Sequence, residues 1–218
     1  WKLKGKPEKT KVISRVWGYH GVTIAAMCCT GMSPYWKMFE PRMPGFVHIP
    51  TPYPYRYEAP EGSRSQGIAA ADEVEKAILA EGADSVAMFL AEPVQGAGGV
   101  LVPQDDYFPR IREICDKYGI LLVFDEVITG FGRTGSAFAA QSFNVKPDIM
   151  AMAKALTNGN QPMGAVAVDD RIYDTICNAT AGPGVEFFHG YTYSGHPAAC
   201  AAGIATHFAA EFLRARSL

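Results

Sequence analysis

The chain has 218 residues, 48 % of them hydrophobic and 19 % charged, and a net charge of -2. That is enough apolar material for one packed core, and the charge is too balanced for a disordered tail or a nucleic-acid-binding surface. No apolar run reaches the ~18 residues that a membrane span needs.

Lys11 to Val16 (KVISRV) is a short strand pattern, preceded by a basic start, Trp1 to Lys11, that reads as a solvated surface segment. Gly21 to Thr30 reads as a helix or turn of small residues. Residues 31–66, rich in Pro, Tyr and Gly, read as one long irregular loop, the kind that shapes access to a site or covers a partner. From Gly67 to Glu81 apolar residues recur at helical spacing. Ser85 to Ala91 is a continuous apolar run, hence a buried strand. Tyr107 to Tyr118 is amphipathic, with Ile111, Ile114 and Cys115 on one face. Ile120 to Phe124, Ile149 to Ala153 and Gly164 to Val168 are three more strands. Ala198 to Leu218 reads as a helix. Strands apolar on both faces, separated by helices, predict an α/β domain with a largely parallel sheet.

Five cysteines, Cys28, Cys29, Cys115, Cys177 and Cys200, form no C-x-x-C pair. They read as free thiols, which places the protein in a reducing compartment, the cytoplasm. No secretory leader is legible. The chain has no initiator Met, and its last helix pattern simply stops, so an internal fragment is expected.

Two residues stand where chemistry is expected. Asp125 follows ILLVF, and Lys154 follows IMAMA, so both end strands. Ligands in open α/β sheets bind outside the carboxyl ends of the strands. Asp125 caps the next turn or pairs with Arg133 on one reading, and meets a cationic ligand on the other. Lys154 reaches for solvent on one reading; on the other it is a buried amine of lowered pKa, the usual nucleophile towards carbonyls. A cationic ring nitrogen on Asp125 and an aldehyde on Lys154 satisfy both residues, and pyridoxal phosphate makes that pair of demands. Tyr19-His20 offers an aromatic face. Thr192 and Ser194 put hydroxyls ahead of a helix start, as phosphate ligands or as N-caps. The glycines complete neither a dinucleotide fingerprint nor a Walker loop.

Five stretches together resemble the class III aminotransferases, fold-type I enzymes that use pyridoxal phosphate. They are SRVWGYHGVT from Ser14, AEPVQGAGGV from Ala91, LLVFDEVITGFGRTG from Leu121, PDIMAMAKALTNGNQPMGAV from Pro147 and HGYTYSGHPAACAAG from His189. Residues 1–218 are then part of a large, cofactor-binding domain with a mostly parallel, mixed sheet flanked by helices. The resemblance implies that Lys154 is the Schiff-base lysine and the proton shuttle. It implies that Asp125 keeps the ring nitrogen protonated, that Tyr19 stacks on one ring face with His20 beside it, and that Val127 packs on the other face. Thr192 reaches the phosphate of the neighbouring subunit, which implies a homodimer, and Glu92 stands behind the cofactor. The phosphate loop is expected upstream of Trp1 and a carboxylate-binding Arg beyond Leu218.

Within the class the likeness is to ω-amino acid:pyruvate (β-alanine:pyruvate) transaminases. The implied partners are an amine donor and a 2-oxo acid acceptor such as pyruvate, with no nucleic acid and no membrane. Ornithine and 4-aminobutyrate transaminases carry a Glu where this chain has Ala97, which disfavours those substrates. A class III aminomutase or phospho-lyase, or an inactive truncated homologue, are the alternatives.

Overall fold

The computed structural model describes residues 1–179, 187 and 189–216. Six strands form one sheet: β1 (Lys11–Arg15), β2 (Phe46–Ile49), β3 (Val86–Ala91), β4 (Leu121–Asp125), β5 (Ile149–Met152) and β6 (Ala165–Val168). Their order is β2-β1-β3-β4-β5-β6. The first five run parallel, and β6 is antiparallel to β5. The helices are α1 (Ile24–Cys29), α2 (Ser33–Trp36), α3 (Gln66–Glu81), α4 (Tyr107–Tyr118), α5 (Ala139–Ser142), α6 (Asp170–Cys177) and α7 (Pro197–Arg216). The α/β class and the mostly parallel mixed sheet are as the sequence predicts. Ser217 and Leu218, the end of the last expected helix, lie outside the described residues.

Helices α3 and α4 cover one face of the sheet. In α4 the residues Tyr107, Phe108, Ile111, Ile114 and Cys115 share a stripe and are all fully buried. Gly119, at φ 55°, ends the helix, and its N–H returns to the carbonyls of Asp116 and Cys115. In α3 the Ser65 hydroxyl caps the first turn by accepting the Ile68 N–H at 2.9 Å. The small Ala70 and Ala71 face the core beside Val74 and Ile78. The rings of Phe108 and Phe124 meet edge-on at 4.8 Å, an aromatic pair worth about 1 kcal/mol beyond its buried area. Helix α1 takes the other face. Ile13 belongs to the α3–α4 core, whereas its neighbour Ser14 donates to the Cys29 carbonyl of α1 at 2.7 Å. Period-2 alternation sends the two residues to opposite sides.

Two expectations need correction. Residues 31–66 are not one irregular loop, because they hold α2 and β2. β2 is the edge strand beside β1, with Val12 opposite Phe46 and Arg15 opposite Ile49. Its sequence, FVHI, is too short to show alternation, and a distant partner stabilises it. The basic start is not wholly solvated either. Lys9 is 5 % exposed, and its amine donates to the carbonyls of Ala83, Val86 and Tyr118. Burial holds its pKa below the usual lysine range.

Strand order places the site. The chain leaves β1 for β2 on one side, then crosses back to β3 on the other. The sheet therefore has a switch point between β1 and β3, where the loops that follow them part.

Candidate functional site

The parallel strands β1, β3, β4 and β5 send their following loops to the same edge of the sheet. These are residues 16–23, 92–101, 126–138 and 153–164. Asp125 closes β4, opposite Ala151 of β5, and Lys154 begins a 3₁₀ turn two residues past the end of β5. The two residues thus end adjacent strands, as the sequence suggests.

Asp125 is 8 % exposed. One carboxylate oxygen, Oδ1, accepts the Val127 N–H at 3.1 Å, and the other, Oδ2, lies 2.9 Å from Nδ1 of His20. Its side-chain partner is His20 and not Arg133. A carboxylate has about four acceptor positions, so two bonds leave it room for another donor.

His20 comes from the loop after β1. Its N–H donates to the Thr30 hydroxyl at 2.9 Å, and its side chain is 3 % exposed. The ring is committed to Asp125. Tyr19 is half-buried, with its ring edge-on to Tyr35 at 6.4 Å. Val127 is half-buried, one residue past the Asp125–Glu126 pair.

Lys154 is exposed, which fits the reading of a strand-end lysine that reaches for solvent and not that of a buried amine. Its backbone sits at φ 46°, in the left-handed region that non-glycine residues rarely adopt. The turn is closed by Asn158, whose N–H donates to the Ala155 carbonyl at 3.1 Å. Helix α7 supports the turn: Gly203 lies close to Leu156 and Met163, and Asn158 donates to the Thr206 hydroxyl at 3.4 Å.

Glu92 follows β3 and is 4 % exposed. Its two carboxylate oxygens accept the N–H groups of Tyr19 and Gly96, both at 2.9 Å. Thr192 is exposed in a turn that precedes α7. Neither Thr192 nor Ser194 caps that helix; the Ala199 N–H points at Nδ1 of His196, 3.4 Å away.

Two buried charges at this edge escaped the sequence reading. Glu126 is fully buried and accepts from the Thr129 hydroxyl at 2.5 Å and the N–H groups of Ala139 and Ala140 at 3.0 and 2.7 Å. It pins the 129–140 segment while Asp125 turns the other way. The Asp-Glu doublet at a strand end carries the signal, since alternation lets only one of them face a given side. Arg15, the last residue of β1, is 1 % exposed. Nothing in a single Arg after an apolar run marks it as buried.

All five cysteines are free, with Cys28, Cys29 and Cys115 buried and Cys177 and Cys200 half-buried. Burial pushes the thiols of Cys29 and Cys115 up to about 12. Among the described residues no cluster of His, Cys, Asp or Glu is arranged to hold a metal, and no helix is long and apolar enough to cross a membrane.

Residues 1–212 match the class III aminotransferase family. The chain is 50 % identical over 207 residues to an ω-amino acid–pyruvate aminotransferase of Pseudomonas putida, covering 94 % of this chain and 46 % of that protein. It is 48 % identical over 204 residues to a putrescine–pyruvate aminotransferase of Pseudomonas aeruginosa, covering 94 % of this chain and 44 % of that protein. A thermostable (S)-enantioselective ω-transaminase from Thermomicrobium roseum superimposes with a TM-score of 0.90 at 46 % identity, over 98 % of this chain and 47 % of that one. The chain thus spans about half the length of the curated relatives it matches.

Proposed function

The chain belongs to the class III aminotransferases, and from that premise we propose that the protein moves an amino group from an ω-amino acid or primary amine to pyruvate or another 2-oxo acid, with Lys154 as the lysine that holds pyridoxal phosphate. Pyruvate is the acceptor named for both relatives above, while the donor changes from an ω-amino acid to a diamine. That contrast supports the acceptor more narrowly than the donor.

The observation that carries the reading is Asp125. A carboxylate this buried, bonded to one imidazole and one peptide N–H and with acceptor capacity left, fits a protonated ring nitrogen. The strand beside it leads into a lysine on an open, left-handed turn. When bound, pyridoxal phosphate supplies a carbonyl that exchanges amines and a ring that takes up electrons.

The chain's own residues do the rest. Lys154 donates the amine that tethers the cofactor, and its Nζ, once released, carries a proton between neighbouring carbons. Asp125 keeps a proton on the ring nitrogen, and His20 fixes the direction of that carboxylate. Tyr19 and Val127 flank the ring, while Glu92 holds the Tyr19 peptide and does not touch the cofactor. Thr192 serves the phosphate site of a neighbouring subunit in a homodimer; the exposure of Thr192 with Tyr191 and Tyr193 supports this role. The five free thiols support a cytoplasmic setting.

The test is covalent. After incubation with pyridoxal phosphate and reduction with borohydride, peptide mass spectrometry should find the adduct on Lys154, and Lys154→Ala should yield none. An adduct that persists in Lys154→Ala, or one on another lysine, refutes the assignment.

A further inference from the structure

Arg15 is out of keeping with its surroundings. A guanidinium is always charged, and this one is 1 % exposed. Among the described residues it has no carboxylate partner. One terminal nitrogen donates to the main-chain carbonyl of Glu92, and the other, Nη1, has no acceptor. The rings of Tyr107 and Phe108 stand 5.8 Å from its Cζ, and the Tyr107 hydroxyl interacts with it as well. Burying a charge on those terms is costly, so what its one strong bond holds matters.

That bond holds the first residue after β3, at the switch point of the sheet. The same residue, Glu92, accepts the Tyr19 N–H on Oε1 and the Gly96 N–H on Oε2, each at 2.9 Å. Both oxygens are used in joining the two loops that part at the switch point. The next residue after Tyr19 is His20, which lies on Asp125. The loops also touch directly: a Cβ at Gly98 would stand 2.5 Å from the Trp17 carbonyl. Contacts therefore run from Arg15 through Glu92 to the Tyr19 N–H, and along the backbone from Tyr19 to His20 and its bond to Asp125.

We infer that Arg15 and Glu92 are positioning residues of this site: the Arg15 guanidinium fixes the Glu92 main chain, and the Glu92 carboxylate fixes the peptide that carries Tyr19 and the Asp125-bound His20. Only the consequence for cofactor binding rests on the function proposed above; the mechanical link does not.

Two variants of the protein test it. Arg15→Lys keeps the charge but shortens the reach to the Glu92 carbonyl. Glu92→Met removes both carboxylate oxygens and with them the bonds to the Tyr19 and Gly96 N–H groups. In the cofactor-free protein, hydrogen exchange at the Tyr19 amide should speed up about tenfold in both variants, the loss expected for one charge-assisted bond. Arg15 makes no contact with that amide, and β4 amides serve as the control for global loosening. After loading with pyridoxal phosphate, the dissociation constant should rise about tenfold by the same arithmetic. The induced circular dichroism of the bound ring, divided by its absorbance, should fall.

Tyr19 exchange and a dichroism ratio equal to the parent's in both variants overturn the inference, even if the melting temperature drops. If Arg15→Lys does not fold, unchanged readouts in Glu92→Met alone overturn it. If the unaltered protein takes up no pyridoxal phosphate, the functional proposal fails, and the exchange measurement still decides the positioning role.

Discussion

β4 and β5 are neighbours in register, yet their surroundings differ. Four of the five residues of β4 are buried, while every residue of β5 is half-buried. The cause is what lies over them. α4 sets Phe108 against Phe124 and closes the core above β3 and β4. β5 is flanked on its far side by β6, three of whose four residues are exposed. The residue that ends β4 is a buried, hydrogen-bonded carboxylate, and two residues past β5 stands an exposed lysine. A carboxylate that must hold one geometry benefits from the closed half. An amine that must trade partners needs the open half. The division of labour proposed for Asp125 and Lys154 follows this gradient of burial.

The sharpest attempt to break the contrast is Lys154→Ala. It should lower the transamination rate at least about a thousandfold, or ~4 kcal/mol on the barrier. The unfolding free energy read from urea titration should move by no more than about 0.5 kcal/mol. A collapse of stability would show that the open half is as integral to the core as the closed half. Phe124→Ala should do the reverse and remove about 3–5 kcal/mol of stability, against less than about 1.5 kcal/mol for the half-buried Met152→Ala, both read by urea unfolding.

Within β4's end the doublet splits the same way. Glu126→Gln should cost about 1–3 kcal/mol, because an amide oxygen cannot satisfy three donors. Asp125→Asn should stay within about 1 kcal/mol in stability while lowering the rate about a hundredfold or more. Unfolding and steady-state kinetics on the two variants separate the roles, and equal stability losses would erase the distinction.

The smallest effect is in pH. Cys115, in the closed half, is raised from 9.0 to about 12 by burial. Above pH 9 the unfolded chain releases a thiol proton that the folded chain keeps. Stability therefore falls as pH rises between 9 and 12. Between pH 8 and 10 the parent should lose about 1 kcal/mol more than Cys115→Ala, measured as urea midpoints at each pH.

The sequence discloses the strands of both halves through local patterns. The spacing of Ile111, Ile114 and Cys115 and the run from Ile120 to Phe124 are local patterns, and α4 and β4 form where they predict. Asp125 and Lys154 stand out for the same reason, since each follows an apolar run. β2 does not stand out, because a four-residue strand among prolines depends on pairing with β1, 34 residues away at Val12–Phe46. The reversed direction of β6 is equally hidden: alternation says which side chains share a face, not which way a strand runs. The His20–Asp125 contact joins residues 105 positions apart. Arg15's burial is set by the aromatic rings of a helix more than 90 residues away. Such pairings are properties of the assembled sheet edge and have no local signature.

The backbone of Lys154 has an implication for how such a site endures mutation. At φ 46° an L-residue carries about 1–2 kcal/mol of steric penalty that glycine avoids. Random substitution filtered by folding alone would drift this position towards Gly or Asn. A library of Lys154 replacements selected only for thermal stability should therefore be led by those two residues, whereas one selected for turnover should return lysine. The same codon would be under opposed pressures, and the gap between the two winners measures how far the site is held from the fold's own preference.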